Sequence, residues 1–290
     1  MNFIHLKSNA KINLGLSVIK KREDGYHDLK MVMQTLLLYD EVFIKKLETP
    51  KIKISTNLPW LPVNEKNLTY KAANLIIKKY NIKSGVYIDI VKNIPVAAGL
   101  GGGSANCAAV LIGMRKLFNL NIPTDKLIRL GKTLGADVPF LVMQGTALVG
   151  GIGEKLSKLP PHPFVFVLLA KPNFSVSTAS VFKRLQNYPL IDNKQKIRNL
   201  TVAIGEKNLK GITNNFFNDL EIVTTTKSPI IHEIKQTMVD HGALNSLMTG
   251  SGPTVFGYFV NRNDAIKAFK ALRAKGIKEV ILTGTFNRKK

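Results

Sequence analysis

Apolar residues alternate with polar ones over Ala10–Ile19, with Ile12, Leu14, Leu16 and Val18 on one parity, the period of a half-buried strand. Met31–Leu38 and Glu41–Lys46 read as two further strands, joined as a hairpin around Tyr39-Asp40. The period then lengthens. Leu68, Ala72, Leu75 and Ile76 recur at helical spacing within Asn67–Lys79. Val86–Lys92 returns to strand. Ala108, Leu111, Met114, Leu117 and Phe118 then mark the apolar face of a helix over Ser104–Phe118, with Ser104 or Asn106 as its cap. A further helix starts after Pro123-Thr124-Asp125, where Asp125 reads as a cap, and Thr146–Val149 reads as strand.

Pro160-Pro161-His162-Pro163 interrupts the pattern and sets the expected boundary between two domains, 1–160 and 161–290. Beyond it, Phe164–Ala170 is a continuous apolar run, which suits a buried strand. Helices are expected near Thr178–Leu185, Asn215–Glu221 and Ile230–His241. Strand Thr254–Val260, helix Asp264–Ala274 and strand Glu279–Thr285 follow. That closing order predicts an α+β layer with its helices on one face of a sheet.

Composition narrows the class. A chain of 290 residues with 45% hydrophobic content can bury a real core. No run approaches the roughly 18 apolar residues of a membrane span, and Met1–Lys7 turns polar too early for a signal peptide. The single cysteine, Cys107, excludes an internal disulfide and sits on the apolar side of a helix start, as a packed small residue does. A cytoplasmic enzyme is expected. The net charge of +23 attracts anions. Its lysines and arginines are scattered, with short clusters at Lys20-Lys21-Arg22, Lys78-Lys79 and Arg288-Lys289-Lys290. Without a long basic arm, zinc-finger spacing or an aromatic RNA-binding motif, the expected partner is an anionic small molecule, not nucleic acid or membrane.

Residues 95–106 read Pro-Val-Ala-Ala-Gly-Leu-Gly-Gly-Gly-Ser-Ala-Asn. Glycines allow positive φ and close approach of a ligand to the backbone. A helix entered from such a loop presents free N–H groups and the positive end of its dipole, which is an anion site and most often a phosphate site. The P-loop pattern is missing: Gly131-Lys132-Thr133 imitates its end, but Lys126 stands where its first glycine belongs. A dinucleotide loop also wants an acidic residue about 20 positions on, and Asp125 is the nearest candidate. A second glycine loop, Thr249–Thr254, could add backbone donors.

Two charged residues stand out for chemistry. Lys11 occupies the polar parity of its strand, and Asp137 sits in Gly135-Ala136-Asp137-Val138-Pro139-Phe140, poorly placed for a free surface. An ammonium beside that carboxylate would favour the ionised form, which could accept or orient a substrate hydroxyl proton. Asp24-Gly25-Tyr26-His27 projects an aromatic and an imidazole from a turn, suited to stacking and hydrogen bonding with a planar ligand. The five histidines are dispersed, so no metal ligand set is expected from protein side chains.

Together these segments resemble the superfamily of small-molecule kinases named for galactokinase, homoserine kinase, mevalonate kinase and phosphomevalonate kinase. The likeness runs from Ala10-Lys11-Ile12-Asn13-Leu14 to Gly250-Ser251-Gly252-Pro253-Thr254, nearly the whole chain. The Asp-Gly-Tyr-His turn and Gly-Ala-Asp-Val-Pro-Phe point within it to the branch acting on a cytidine-diphosphate erythritol. The resemblance implies a ribosomal-S5-like N-terminal domain and a ferredoxin-like C-terminal domain, working with ATP and Mg²⁺. It implies Lys11 and Asp137 as the catalytic pair. It matches Pro95, Val96, Ala97, Ala98, Gly99, Leu100, Gly101, Gly102, Gly103, Ser104 and Ala105 to the ATP-phosphate loop, with Asn67 and Lys92 towards the nucleotide. Tyr26 and Phe182 would sandwich the cytosine, His27 would bond its edge, and Asn13 and Thr178 would help hold the substrate. A monomer or homodimer is expected. One position departs from the pattern: Ala105 stands where a second serine is usual.

Overall fold

β1 (Phe3–Lys21) and β2 (His27–Leu47) are the longest strands of the computed structural model, which describes residues 1–287. The Arg288-Lys289-Lys290 cluster lies outside the described residues. The hairpin expected at Tyr39-Asp40 does not form, and β2 runs straight through it. The aspartate that reads as a turn residue is fully buried. Its carboxylate accepts the backbone N–H groups of Asn93 and Ile94, so tertiary hydrogen bonds override its turn preference.

The chain forms two compact units, and β1 and β2 each pass from one to the other. The first comprises residues 1–10, 38–96 and 101–143; the second comprises 11–37, 97–100 and the chain from Gln144 onward. In the first, β3 (Ile52–Thr56) pairs parallel with β4 (Gly85–Val91), and β4 pairs antiparallel with the C-terminal part of β2, from Glu41↔Val91 to Leu47↔Gly85. Helix α1 (Leu68–Lys79) is capped by Asn67, whose Oδ1 accepts the Thr69 N–H at 2.9 Å. It packs on α2 (Gly102–Leu117), which α3 (Thr124–Lys132) and α4 (Val138–Met143) also contact. The residue before α3 is Pro123, and Asp125 lies in the first turn instead of capping it. Cys107 is buried in α2, and burial pushes its thiol up to about 12, so it is a packed, unreactive side chain.

In the second unit, the N-terminal part of β2 pairs antiparallel with β5 (Thr146–Gly151), and β5 with β6 (Lys155–Lys158). The four-stranded sheet is antiparallel throughout. It is built from β7 (Phe166–Lys171), β9 (Asn245–Met248), β10 (Val255–Phe259) and β11 (Glu279–Gly284), in the order β11-β7-β10-β9. Helices α9 (Ile230–Asp240) and α10 (Arg262–Ala274) bury Ile234, Met238, Ala268 and Leu272 in one cluster with Leu168, Ala170, Val255 and Phe259. Both helices therefore cover the same face, and the order β7-α9-β9-β10-α10-β11 is the split βαβ of a ferredoxin-like domain, as expected.

Between β7 and α9 lie α5 (Thr178–Leu185), α6 (Lys194–Gly205), α7 (Leu209–Asn214), β8 (Phe217–Asn218) and α8 (Glu221–Thr225). The helix expected over Asn215–Glu221 is broken by β8, which pairs parallel with β1 at Gly15↔Phe217 and Leu16↔Asn218. The Phe217 ring fills the space of the missing Gly15 side chain: a Cβ there would stand 2.6 Å from the ring. His162, in the proline-rich stretch, is buried and bonded through Nδ1 to the Pro163 carbonyl. Burial holds its pKa down, to about 4, so it is a neutral structural group. Among the described residues, no helix is long and apolar enough to cross a membrane.

Candidate active site

In the first unit the chain leaves β4 through Lys92-Asn93-Ile94-Pro95-Val96 and re-enters as α2. The start of α2 differs from expectation. Neither Ser104 nor Asn106 caps it; the N-cap is Gly101, in the left-handed region at φ +71°, with no side-chain hydrogen bond. Asn106 is drawn inward, donating to Ser8 Oγ at 3.0 Å and to the Asp40 carboxylate at 2.8 Å. The leading N–H groups of a sixteen-residue helix are thus left to a ligand. A Cβ on Gly103 would meet nothing within 4 Å, so space exists over that end. These observations fit the triphosphate of ATP.

Ser104 lies beside the turn that carries Asp137: a Cβ on Gly135 would stand 3.8 Å from Ser104 Oγ. Asp137 immediately precedes α4, its carbonyl accepts the Leu141 N–H, and it is half-buried. The first unit therefore brings together the helix start, Ser104 and the Asp137 turn. Asn67 and Lys92 belong to the same unit, Asn67 spent as the α1 cap and Lys92 paired with Asp40. Among the described residues, no group of three or more His, Cys, Asp or Glu could hold a metal ion. A Mg²⁺ would have to ride mainly on phosphate oxygens, its usual habit in kinases.

In the second unit Lys11 is only 4% exposed, far from the solvated lysine its strand parity suggests. Its Nζ donates to Asn13 Oδ1 at 2.7 Å, and its backbone N–H donates to the Leu100 carbonyl at 3.0 Å. The second glycine loop closes over it: a Cβ on Gly250 would lie 3.7 Å from Lys11 Nζ. Residues 97–100 pack backbone to backbone against this loop. Gly99, at φ +74°, admits no side chain, because a Cβ would collide with the Thr249 carbonyl oxygen. Thr249 Oγ1 also accepts the Asn13 N–H at 3.0 Å.

The same loop reaches α5. Ser251 Oγ and Thr178 Oγ1 are 2.8 Å apart. One helical turn further on, Phe182 stacks on His27, with centroids 4.8 Å apart and planes at 24°. Burial, and next the nearby Lys21 ammonium, hold His27 below the ordinary histidine pKa and keep it neutral. Tyr26 is 62% exposed on the β1–β2 turn. Its N–H donates to Asp24, which Arg22 also grips. The structure thus brings Lys11, Asn13, Ala97–Leu100 and Thr178 to one loop and pairs Phe182 with His27.

Models of the GHMP kinases N terminal domain and the GHMP kinases C terminal domain match residues 67–145 and 202–278. A 4-diphosphocytidyl-2-C-methyl-D-erythritol kinase of Lachnospira eligens is 47% identical over 292 residues, covering 99% of each chain. The chain belongs to the GHMP kinases. Another enzyme of that printed name, from Acetivibrio thermocellus, is 48% identical over 94% of this chain and 96% of its own. A crystal structure of 4-(cytidine 5'-diphospho)-2C-methyl-D-erythritol kinase superposes with a TM-score of 0.82 at 30% identity, covering 98% of this chain and all of that one. Homoserine kinase from Cytophaga hutchinsonii, at TM-score 0.75 and 19% identity, covers 97% of this chain and 95% of its own and shares the fold. As a small-molecule kinase, this GHMP kinase takes ATP as its co-substrate.

Sequence reasoning gave no role to Asn218, which lies in a segment, Asn218-Asp219-Leu220-Glu221, that shares the family likeness; its Nδ2 donates to the Met248 and Gly250 carbonyls at 2.8 Å each and braces the second glycine loop. Sequence reasoning also missed Asp40, hidden by its turn-like context. The Asn218-Asp219 pair read as part of a helix, and nothing in its spacing marks a loop more than 30 residues away.

Proposed function

We propose that this GHMP kinase transfers the γ-phosphoryl group of ATP to the 2-hydroxyl of 4-diphosphocytidyl-2-C-methyl-D-erythritol, a step of non-mevalonate isoprenoid precursor synthesis. The observation that carries the reading is the face of α5: Thr178 is bonded to the second glycine loop, and Phe182, one turn away, is stacked on His27. That face joins a base-stacking end to an anion-binding end, and its relatives at 47–48% identity bear the name of that kinase.

Phosphoryl transfer asks for positioning and charge neutralisation more than covalent chemistry. Residues 95–105 hold the triphosphate through backbone N–H groups and the dipole of α2, with Asn67 and Lys92 towards the nucleotide. Lys11 presents a fixed positive charge, its ammonium oriented by Asn13. Asp137 takes or orients the proton of the acceptor hydroxyl. Asn13 and Thr178 hold the substrate, Tyr26 and Phe182 enclose the cytosine, and His27 bonds its edge. Mg²⁺, when bound, would neutralise phosphate charge, and the Ser104 hydroxyl is the protein group that would help hold it. The enzyme works in the cytoplasm as a monomer or homodimer, residues 1–160 forming the domain that carries ATP and the catalytic pair and 161–290 the substrate-binding domain, which contributes Thr178 and Phe182 beside Asn13, Tyr26 and His27 of the first.

Incubation with Mg²⁺-ATP and the cytidine substrate tests this directly. ADP release with a product heavier by one HPO₃ is the expected result. No turnover, with ATP still raising the unfolding temperature, would assign the scaffold to another acceptor.

A further inference from the structure

A buried carboxylate lies beneath the phosphate-binding segment, and the reaction as described makes no use of it. Asp40 is 0% exposed. Its Oδ1 accepts two backbone N–H groups, from Asn93 at 2.7 Å and Ile94 at 2.8 Å. Its Oδ2 takes the ammonium of Lys92 and the amide of Asn106, the latter at 2.8 Å. Lys92 Nζ also donates to Asn106 Oδ1 at 3.1 Å. Lys92, Asn93 and Ile94 form the chain's exit from β4, before the glycine segment; Asn106 is in the second turn of α2, after it. A Cβ on Gly102 would stand 3.2 Å from Lys92 Nζ, so this ammonium lies directly under the first residue of the helix.

We infer that Asp40 is a positioning residue for ATP: one carboxylate fixes the end of β4 to the start of α2 and thereby aims the leading N–H groups of that helix. The inference rests on the reading of residues 95–105 as the ATP-phosphate loop. Its logic is that of a preorganised anion site. Backbone donors bind phosphate well only when they cannot swing away, and a fully satisfied buried network is the rigid way to hold them. A carboxylate can accept from all four donors at once, whereas a neutral amide cannot. In Asp40→Asn the remaining carbonyl oxygen can still serve Asn93 and Ile94. The new NH₂ group, however, would face the Lys92 ammonium and the Asn106 amide, donor against donor.

The test is calorimetric titration of Asp40→Asn and Asn106→Ala with a non-hydrolysable ATP analogue and, separately, with CDP. Asn106→Ala releases only the α2 side of the clamp and serves if Asp40→Asn does not fold. The expected result is at least about tenfold weaker binding of the ATP analogue, the scale of a lost charge-assisted hydrogen bond, with the CDP affinity unchanged within about twofold. KM for ATP should rise in parallel while KM for the alcohol stays put. Unchanged ATP affinity in a folded variant would overturn the inference, and so would equal losses for both ligands, which mark general loosening. If the unaltered protein binds CDP but no ATP analogue, the reading of the phosphate loop fails first and takes the inference with it.

Discussion

At the start of α2 the outward groups are backbone N–H donors, left uncapped by Gly101 and steadied from below by buried Asp40, Lys92 and Asn106. At the β1–β2 turn and α5 they are side chains: exposed Tyr26, half-buried His27 and its stacking partner Phe182. In the proposed function the first arrangement serves any nucleoside triphosphate, because backbone donors read charge and geometry alone, and the second reads a particular base through stacking and an imidazole. On that proposal catalytic competence and substrate choice rest on different materials, and substitutions should separate them.

The largest effect belongs to the phosphate end. Asp137→Ala should lower kcat by roughly 10²–10⁴, the usual contribution of a positioned proton acceptor, with an unchanged circular dichroism spectrum. Near-normal turnover would remove Asp137 from the chemistry. At the base end, Phe182→Ala should raise KM for the cytidine substrate by about tenfold, the scale of one lost base-stacking contact, and leave KM for ATP nearly unmoved. Equal shifts in both would erase the division between the two regions.

A smaller effect should appear with pH. The His27 pKa is lowered, first by burial and then by Lys21, so the neutral imidazole persists to lower pH than in an ordinary histidine. As pH falls through that lowered value the ring gains a charge that its site disfavours. The KM for the cytidine substrate should therefore rise at a lower pH than the titration of an ordinary histidine would give. His27→Gln should show the raised KM at every pH and no such step; a step that survives in that variant would belong to another group.

Much of this contrast was legible in the chain because it rests on local signals. The glycine segment, the Asp-Gly-Tyr-His turn and the apolar periods of α1, α2, α9 and α10 are short-range patterns whose physics lies within one element. What escaped depends on distant partners. Asp40 reads as a turn residue until Asn93 and Ile94 meet it inside a continuous β2. Asn218 reads as helix until β8 pairs with β1 and its amide reaches the second glycine loop. Lys11 looks solvated by parity, yet residues 97–100 and 249–250 bury it. Each miss is a polar side chain taken up by tertiary contacts.

The smallest expected effect is at Ala105, the one departure from the family pattern in the phosphate loop. A missing serine there suggests a lost phosphate or Mg²⁺ ligand. The position is only 2% exposed, within the first turn of α2, and its N–H already donates to the Gly101 carbonyl at 2.8 Å. A serine hydroxyl in that setting has the same carbonyl within reach, the back-bonding that helical serines commonly adopt. Buried and so engaged, it would add nothing to the outward backbone donors. Ala105→Ser should therefore change kcat and KM for ATP by less than about twofold, well under one net hydrogen bond. A tenfold gain in ATP affinity would show that the side chain at this position reaches the nucleotide, and that the phosphate end is read by side chains as well as by backbone.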